Sequence, residues 1–255
     1  MLDRILTSAA TRAADVTGQI DALRSAAMGM APHRSLREAL SGPGLAVIAE
    51  IKRRSPSRGV IDADLDPADR ARAYVEGGAD AISVLTEPEF FDGSMDDLDR
   101  VRSVVDVPVL RKDFTLEPSQ IWEARAGGAD AVLLIVAALC QRKLEELIAV
   151  AGDVGVDAIV ETHDVQEVER AVAAGAGIIG VNNRNLETFQ TDLAVAERVA
   201  GSLPDAVVTI AESGVSNREG AARMVRAGYD AILVGEALVR SREPAGLVRS
   251  LKDQR

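Results

Sequence analysis

Apolar residues in this chain fall into short runs that return at a regular interval. Four runs share one opening: GGADAISVL from Gly77, GGADAVLLI from Gly127, GVDAIV from Gly155 and GYDAILV from Gly228. In each, a glycine ends a helix, an aspartate makes the turn, and a strand of β-branched and other apolar residues follows. VDVPVL from Val105, AGAGIIGV from Ala174 and PDAVVTIA from Pro204 are weaker copies, and GLAVIAEI from Gly44 completes eight strand candidates. They recur roughly every 20 to 30 residues, the length of one βα unit. Polar residues between them mark helix starts. SMDD at Ser94, DVQE at Asp164 and SNRE at Ser216 read as capping boxes or their acidic variants. Asp66 and Glu117 are each followed by proline, which suits the first helical position.

Eight βα units predict a (β/α)8 TIM barrel. A doubly wound open sheet is the competing arrangement, weakened because no Gly-x-Gly-x-x-Gly turn follows the first strand. Ahead of that strand, Leu2, Ile5, Leu6, Ala9, Ala13, Val16, Ile20 and Leu23 recur at helical spacing and predict one amphipathic helix. Spacing alone leaves it two places, the barrel bottom or the active-site mouth. The expected organisation is a single barrel domain over residues 1–255, with 1–43 as a helical extension and 44–255 as the barrel.

Composition narrows the class. The chain has 255 residues, 47% hydrophobic but only 3% aromatic, so the core must be built from Ala, Val, Ile and Leu. That suits helices around buried parallel strands. A formal net charge of −11, with no basic arm or stripe, argues against nucleic acid and for a small-molecule site. A lone cysteine, Cys140, precludes an internal disulfide and points to a reducing cytoplasm. It follows AVLLIVAAL and reads as core. The run Ala131 to Cys140 is too short to span a bilayer, and MLDRILTSAATR lacks the unbroken apolar stretch of a signal peptide. A soluble cytoplasmic protein without a membrane partner is expected.

In such barrels the chemistry gathers where strands end. Side chains alternate along a strand, so Ile48, Glu50 and Lys52 share a face. Leu110 goes with Lys112, Ile159 with Glu161, and Ile210 with Glu212. If that face points inward, three glutamates and two lysines converge above one apolar core, joined by Asn182 and, just beyond it, Arg184. A structural ion-pair plug needs fewer charges than this. Crowded lysines and carboxylates shift one another's pKa and supply an acid and a base near neutral pH. Ser213 and Gly214 after the seventh strand, and Gly235 after the eighth, suit a phosphate dianion, with Ser55 and Ser57 closing over it from the first loop. Lys52, Arg53, Arg54, Lys112 and Arg184 form a basic island that offsets the acidic whole. The stretch SPSRG is a candidate lid, with Gly59 as its hinge. His33 and His163 lie apart and show no metal-ligand pattern; His163 reads as the start of a surface helix.

The strand-end motifs AEIKRRSPSRG, LTEPEFFDGS, LRKDF, EARAGGADAVLLIVAAL, VETHD, GVNNRNLETF, AESGVS and ILVGEALVR run in order from about residue 46 to 240. Together they resemble the indole-3-glycerol phosphate synthase family of tryptophan biosynthesis. AESG alone is shared with other phosphate-binding barrels; the set with KRRSPS, RKDF and NNRNLET is specific. The resemblance implies a carboxy-lyase reaction without metal or organic cofactor. Its anionic substrate is 1-(2-carboxyphenylamino)-1-deoxyribulose 5-phosphate, converted to indole-3-glycerol phosphate, CO2 and water. It implies Lys112 as general acid at ring closure and Glu161 as general base for dehydration. Lys52 meets the substrate carboxylate, and Glu50 and Glu212 position hydroxyls and hold the lysines charged. Asn182 and Arg184 bind substrate. Phosphate lies among Ser55, Ser213, Gly214, Gly235 and the amide of Glu236. Phe91, Phe114, Leu133 and Leu186 line an aromatic pocket. The N-terminal helix matches the family least, and association with other tryptophan-pathway enzymes is left open. Phosphoribosylanthranilate isomerase, a rival barrel, is expected to use a cysteine where this strand carries Glu50 and Lys52. A non-catalytic phosphate-binding barrel, serving as a regulatory or assembly subunit, is expected to have lost Lys112 or Glu161.

Overall fold

In the computed structural model, residues 1–186 and 188–253 are described; Glu187 of the NNRNLET stretch, and Gln254 and Arg255 at the end of the expected domain, lie outside them. The eight apolar runs become eight parallel strands: Ala46–Ile51, Ala81–Leu85, Val109–Lys112, Ala131–Ile135, Asp157–Thr162, Ile178–Asn182, Val208–Glu212 and Ala231–Val234. Each pairs with the next, and the eighth pairs with the first, so the sheet closes into a (β/α)8 barrel. No helix among the described residues is long and apolar enough to cross a membrane.

Alternation along the strands sorts the core into two layers. Ile48, Leu110, Leu133, Ile159, Ile178, Ile210 and Leu233 face the barrel axis and form one apolar cluster. Val47, Ile82, Val109, Val132, Val160, Ile179 and Ile232 face outward against the helices. Continuous apolar strands are what burial on both faces demands. The turn aspartates of the repeat hold the bottom. Asp80 accepts from the Val47 amide at 2.8 Å, Asp130 from the Val109 amide at 2.9 Å and Asp230 from the Thr209 amide at 2.8 Å. Each ties the start of one strand to its neighbour.

The helix caps at Asp66, Ser94 and Asp164 accept from the amides of Asp69, Asp97 and Glu167. Glu117 and Gln120 cap each other reciprocally. The cap expected at Ser216 falls one residue later. Asn217 is still extended and accepts from the Gly220 amide, and asparagine caps as well as serine.

Two expectations change. The single N-terminal helix is two, Leu2–Thr17 and Ile20–Met28, broken at Gly18 and Gln19, where glycine weakens helix continuity. A third, Leu36–Leu40, follows. The extension therefore serves both ends. The Leu36 amide donates to Asp157 at the foot of the fifth strand at 2.6 Å, while Leu2 and Ile5 line the cavity at the mouth. Cys140 is exposed rather than core. The fourth strand stops at Ile135, and a short turn over Val136–Ala138 carries the chain outward to the start of helix Gln141–Val154.

Candidate active site

The inward-facing rows that begin as Ile and Leu end as charge. Glu50, Lys112, Glu161, Asn182 and Glu212 each stand at or next to the last residue of a strand, and all line one cavity of about 530 Å³ at the barrel mouth. Glu50, Glu161 and Glu212 are buried. Lys112 Nζ sits 3.6 Å from Glu161 Oε2 and 3.7 Å from Glu212 Oε2, midway between the two carboxylates. Lys52, just past the first strand, places Nζ 2.6 Å from Glu50 Oε1. Two inward glycines make room for these side chains. A Cβ at Gly180 would collide with the Glu212 carboxylate, and one at Gly235 with that of Glu50.

Burial and charge divide the protons unevenly. Burial disfavours the Lys112 ammonium, but Glu161, Glu212 and Glu50 outweigh it and hold Lys112 protonated far above the ordinary lysine value. Burial likewise opposes ionisation of Glu50, and Lys52 with Lys112 overcomes it, so Glu50 stays below the usual carboxylate range. Glu161 is also held low, because Lys112 and His163 overcome its burial. Glu212 goes the other way. Its burial and the neighbouring Glu161 anion push it up to about 8. Two buried carboxylates this close do not both ionise cheaply. At neutral pH the mouth thus holds an ammonium, a carboxylate and a carboxylic acid side by side.

The walls differ in chemistry. Phe91 and Phe114 set their rings 6.4 Å apart and tilted, and with Leu133 and Leu186 they line an apolar wall. Arg184 also lines the cavity; it donates to Ser57 Oγ at 2.9 Å, while its amide donates to Asn182 Oδ1 at 3.0 Å. Ser55, Ser213, Gly214, Gly235 and Glu236 line the rim. Ser213 and Gly214 both take positive φ, 64° and 91°, which turns their segment sharply after the seventh strand. The SPSRG stretch is pinned as a small antiparallel pair, Arg54–Ser55 with Gly59–Val60.

The basic island has a different membership from the expected one. Arg53 is bidentate to Asp97, at 2.6 and 2.9 Å, and neither it nor Arg54 lines the cavity. Arg58 and Arg240 do, each paired with Glu236, at 3.3 and 3.2 Å. Arg240 stands one helical turn beyond Glu236, a spacing visible in ILVGEALVR. Two further groups escaped the motif reading. Arg12 of the first helix is bidentate to Asp113, at 3.0 and 2.9 Å, fastening the extension beside Lys112. Its signal was the buried acid of RKDF, which demands a cation. His163 does not open a surface helix. Asp164 is the cap, and the imidazole turns inward beside Glu161, with Nε2 3.6 Å from Glu161 Oε1.

Known proteins share this architecture. A 3-hexulose-6-phosphate synthase superposes with a TM-score of 0.64 at 16% identity, covering 82% of this chain and 98% of its own. A thiamine phosphate pyrophosphorylase from Pyrococcus furiosus superposes at 0.62 and 18% identity, covering 85% of this chain and 96% of its own. At that identity the likeness is one of fold. Sequence likeness is closer elsewhere. Indole-3-glycerol phosphate synthase from Mycolicibacterium smegmatis is 50% identical over 91% of this chain and 85% of its own. Indole-3-glycerol phosphate synthase 1 from Streptomyces coelicolor is 49% identical over 98% and 93%. The sequence model described as indole-3-glycerol phosphate synthase matches residues 2–251, the N-terminal helices included. The chain belongs to the indole-3-glycerol phosphate synthase family.

Proposed function

We propose that the protein is an indole-3-glycerol phosphate synthase. It closes the ring of 1-(2-carboxyphenylamino)-1-deoxyribulose 5-phosphate, releases CO2 and water, and serves tryptophan biosynthesis. The observation that carries this reading is Lys112 held between Glu161 and Glu212, at 3.6 and 3.7 Å, in a cavity lined by both apolar and basic side chains.

The reaction asks for two donated protons and one abstracted. In ring closure the aromatic carbon attacks the ketone carbon while Lys112 gives its proton to the carbonyl oxygen. An ammonium held so firmly is a weak acid at rest. It becomes an adequate donor only as that oxygen takes on alkoxide charge, which times the transfer to the transition state. Loss of CO2 returns the electron pair to the ring and restores aromaticity. In the dehydration the new hydroxyl leaves as water with a proton from Lys52, and the ionised Glu161 takes a proton from the forming pyrrole. One proton is consumed net, as the loss of a carboxylate to neutral CO2 requires.

Binding follows the walls. The anthranilate ring lies against Phe91, Phe114, Leu133 and Leu186, its carboxylate toward Lys52. Glu50 and Glu212 meet the sugar hydroxyls, and Asn182 and Arg184 hold substrate or intermediate. The phosphate is taken by Ser55, Ser213, Gly214, Gly235 and the Glu236 amide. We take residues 1–255 as the single barrel unit that does this, and the cytoplasm as its compartment, in keeping with a lone free cysteine.

Incubating purified protein with the carboxyphenylamino-deoxyribulose phosphate tests the reading. The expected result is a rise of indole fluorescence with one CO2 per indole. Folded protein that yields neither overturns it.

A further inference from the structure

Lys112 stands almost equally far from Glu161 and Glu212, 3.6 against 3.7 Å. It therefore cannot decide which of the two carboxylates ionises. Something else must break the symmetry, because a base in one position and an acid in the other are not interchangeable. His163 is the asymmetric group. Its Nε2 lies 3.6 Å from Glu161 Oε1, on the side of that carboxylate away from Lys112. It is in turn anchored from behind. Glu167 Oε2 receives the His163 amide at 2.7 Å and meets Nδ1 at 3.0 Å. Buried Nε2 finds no hydrogen-bond partner among the described residues, and the carboxylate oxygen it pairs with is Glu161 Oε1, at 3.6 Å.

We propose that His163 is a positioning residue that selects Glu161, rather than Glu212, as the ionised member of the carboxylate pair. The chain of contacts runs Glu167, His163, Glu161, Lys112, Glu212. With Nδ1–H given to Glu167, a neutral imidazole would turn a lone pair toward the Glu161 anion. The imidazolium instead turns an N–H toward it. The charges acting on the ring all favour that form. Burial opposes it, but Glu167 from the helix behind and Glu161 from its own strand end overcome that burial and raise His163 above the ordinary histidine value; Glu212, on the seventh strand, adds to this only once it has lost its proton. Lys112 lies beyond Glu161. Arg170, on the helix of Glu167, is occupied with the carbonyls of Val136 and Leu139. The device matters most when Lys112 has passed its proton to substrate. Glu161 then has no charge on its Oε2 side, and His163 keeps it from drawing the proton held by Glu212.

This inference rests on the proposed catalysis for its kinetic consequence, but not for its physical test. The chain has two histidines, so nitrogen-detected imidazole spectra contain two rings, and His163→Gln identifies which is which. In the intact protein His163 is expected to titrate above 6.5, and Glu161→Gln and Glu167→Gln are each expected to lower that midpoint. A His163 midpoint unmoved by Glu161→Gln overturns the coupling whether or not the protein turns over substrate. Kinetically, His163→Gln should lower kcat about tenfold, the equivalent of one pKa unit on the base, with KM changed less than about threefold. It should also delete the alkaline limb of kcat that coincides with the imidazole titration. Glu167→Gln, which leaves the ring in place, should move that limb to lower pH. A His163→Gln protein with wild-type kcat and an unchanged pH profile rules out the positioning role, and thermal melting confirms that each variant compared is folded.

Discussion

The two ends of the barrel carry the same chemical group and use it in opposite ways. At the bottom, aspartates of the repeat point at backbone amides and are satisfied. Asp130 accepts from the amides of Arg34 and Val109 and from Arg102, at 2.8, 2.9 and 2.6 Å. At the mouth, the glutamates crowd one another. Glu161 Oε2 and Glu212 Oε1 are buried without a hydrogen-bond partner among the described residues. A buried carboxylate with its acceptors filled stabilises the fold. One left short of partners, next to another like it, is costly, and that cost is tolerated where the shifted protonation does chemistry.

If that contrast is right, Lys112→Ala and Asp130→Ala should fail in different currencies. Removing the acid at the mouth should lower kcat by 10²–10⁴-fold, the usual range for a general acid, in a protein that still melts cooperatively. Near-normal turnover would remove Lys112 from the mechanism. At the bottom, Asp130→Ala leaves two amides without their acceptor and leaves Arg102 only the carbonyls of Val105 and Val107, and should cost about 3 kcal/mol of folding free energy. Its kcat per folded molecule should stay within about twofold, read by urea titration alongside an activity assay. A large catalytic loss at unchanged stability would erase the distinction between the ends.

Glu212 sharpens the comparison through pH. Its folded value, about 8, lies above the ordinary 4.5. A raised carboxyl contributes stability below the ordinary value and loses it as pH rises through the folded one. Wild type should therefore lose stability from this group between about pH 4.5 and about 8. Glu212→Gln has no proton to lose there. Its melting temperature relative to wild type should climb across that window and level off above it. A difference that stays flat with pH would mean that Glu212 ionises normally.

How far the sequence exposed this division depends on periodicity. The strands and their inward charges could be read because a two-residue alternation carries Ile48 to Glu50 and Ile210 to Glu212 without reference to anything distant. The turn aspartates could be read for the same reason, by repetition. What stayed hidden depends on partners far along the chain. Arg53 reads as a rim cation from its neighbours in sequence alone, whereas Asp97, 44 positions on, holds it. His163 was masked by Asp164, whose capping signal claimed the local stretch for a surface helix while the ring turned inward. The N-terminal pattern had the right face but ran straight across Gly18, because an apolar stripe continues in register through a short break.

The smallest effect tests whether the mouth is insulated from the outer helices that lead into the strands. Gly152 lies in the helix Gln141–Val154, exposed, and a Cβ there meets nothing within 4 Å. Its backbone is helical, so alanine fits without strain, narrows the unfolded ensemble and should stabilise by about 0.5–1 kcal/mol. Turnover should not change, since Gly152 does not line the cavity at the mouth and alanine keeps the carbonyl that accepts the Gly155 amide. A melting temperature that rises with constant kcat places Gly152 outside both systems. A fall in kcat would mean that stiffening an outer helix reaches the mouth, and that the charged strand ends depend on motion as well as on position.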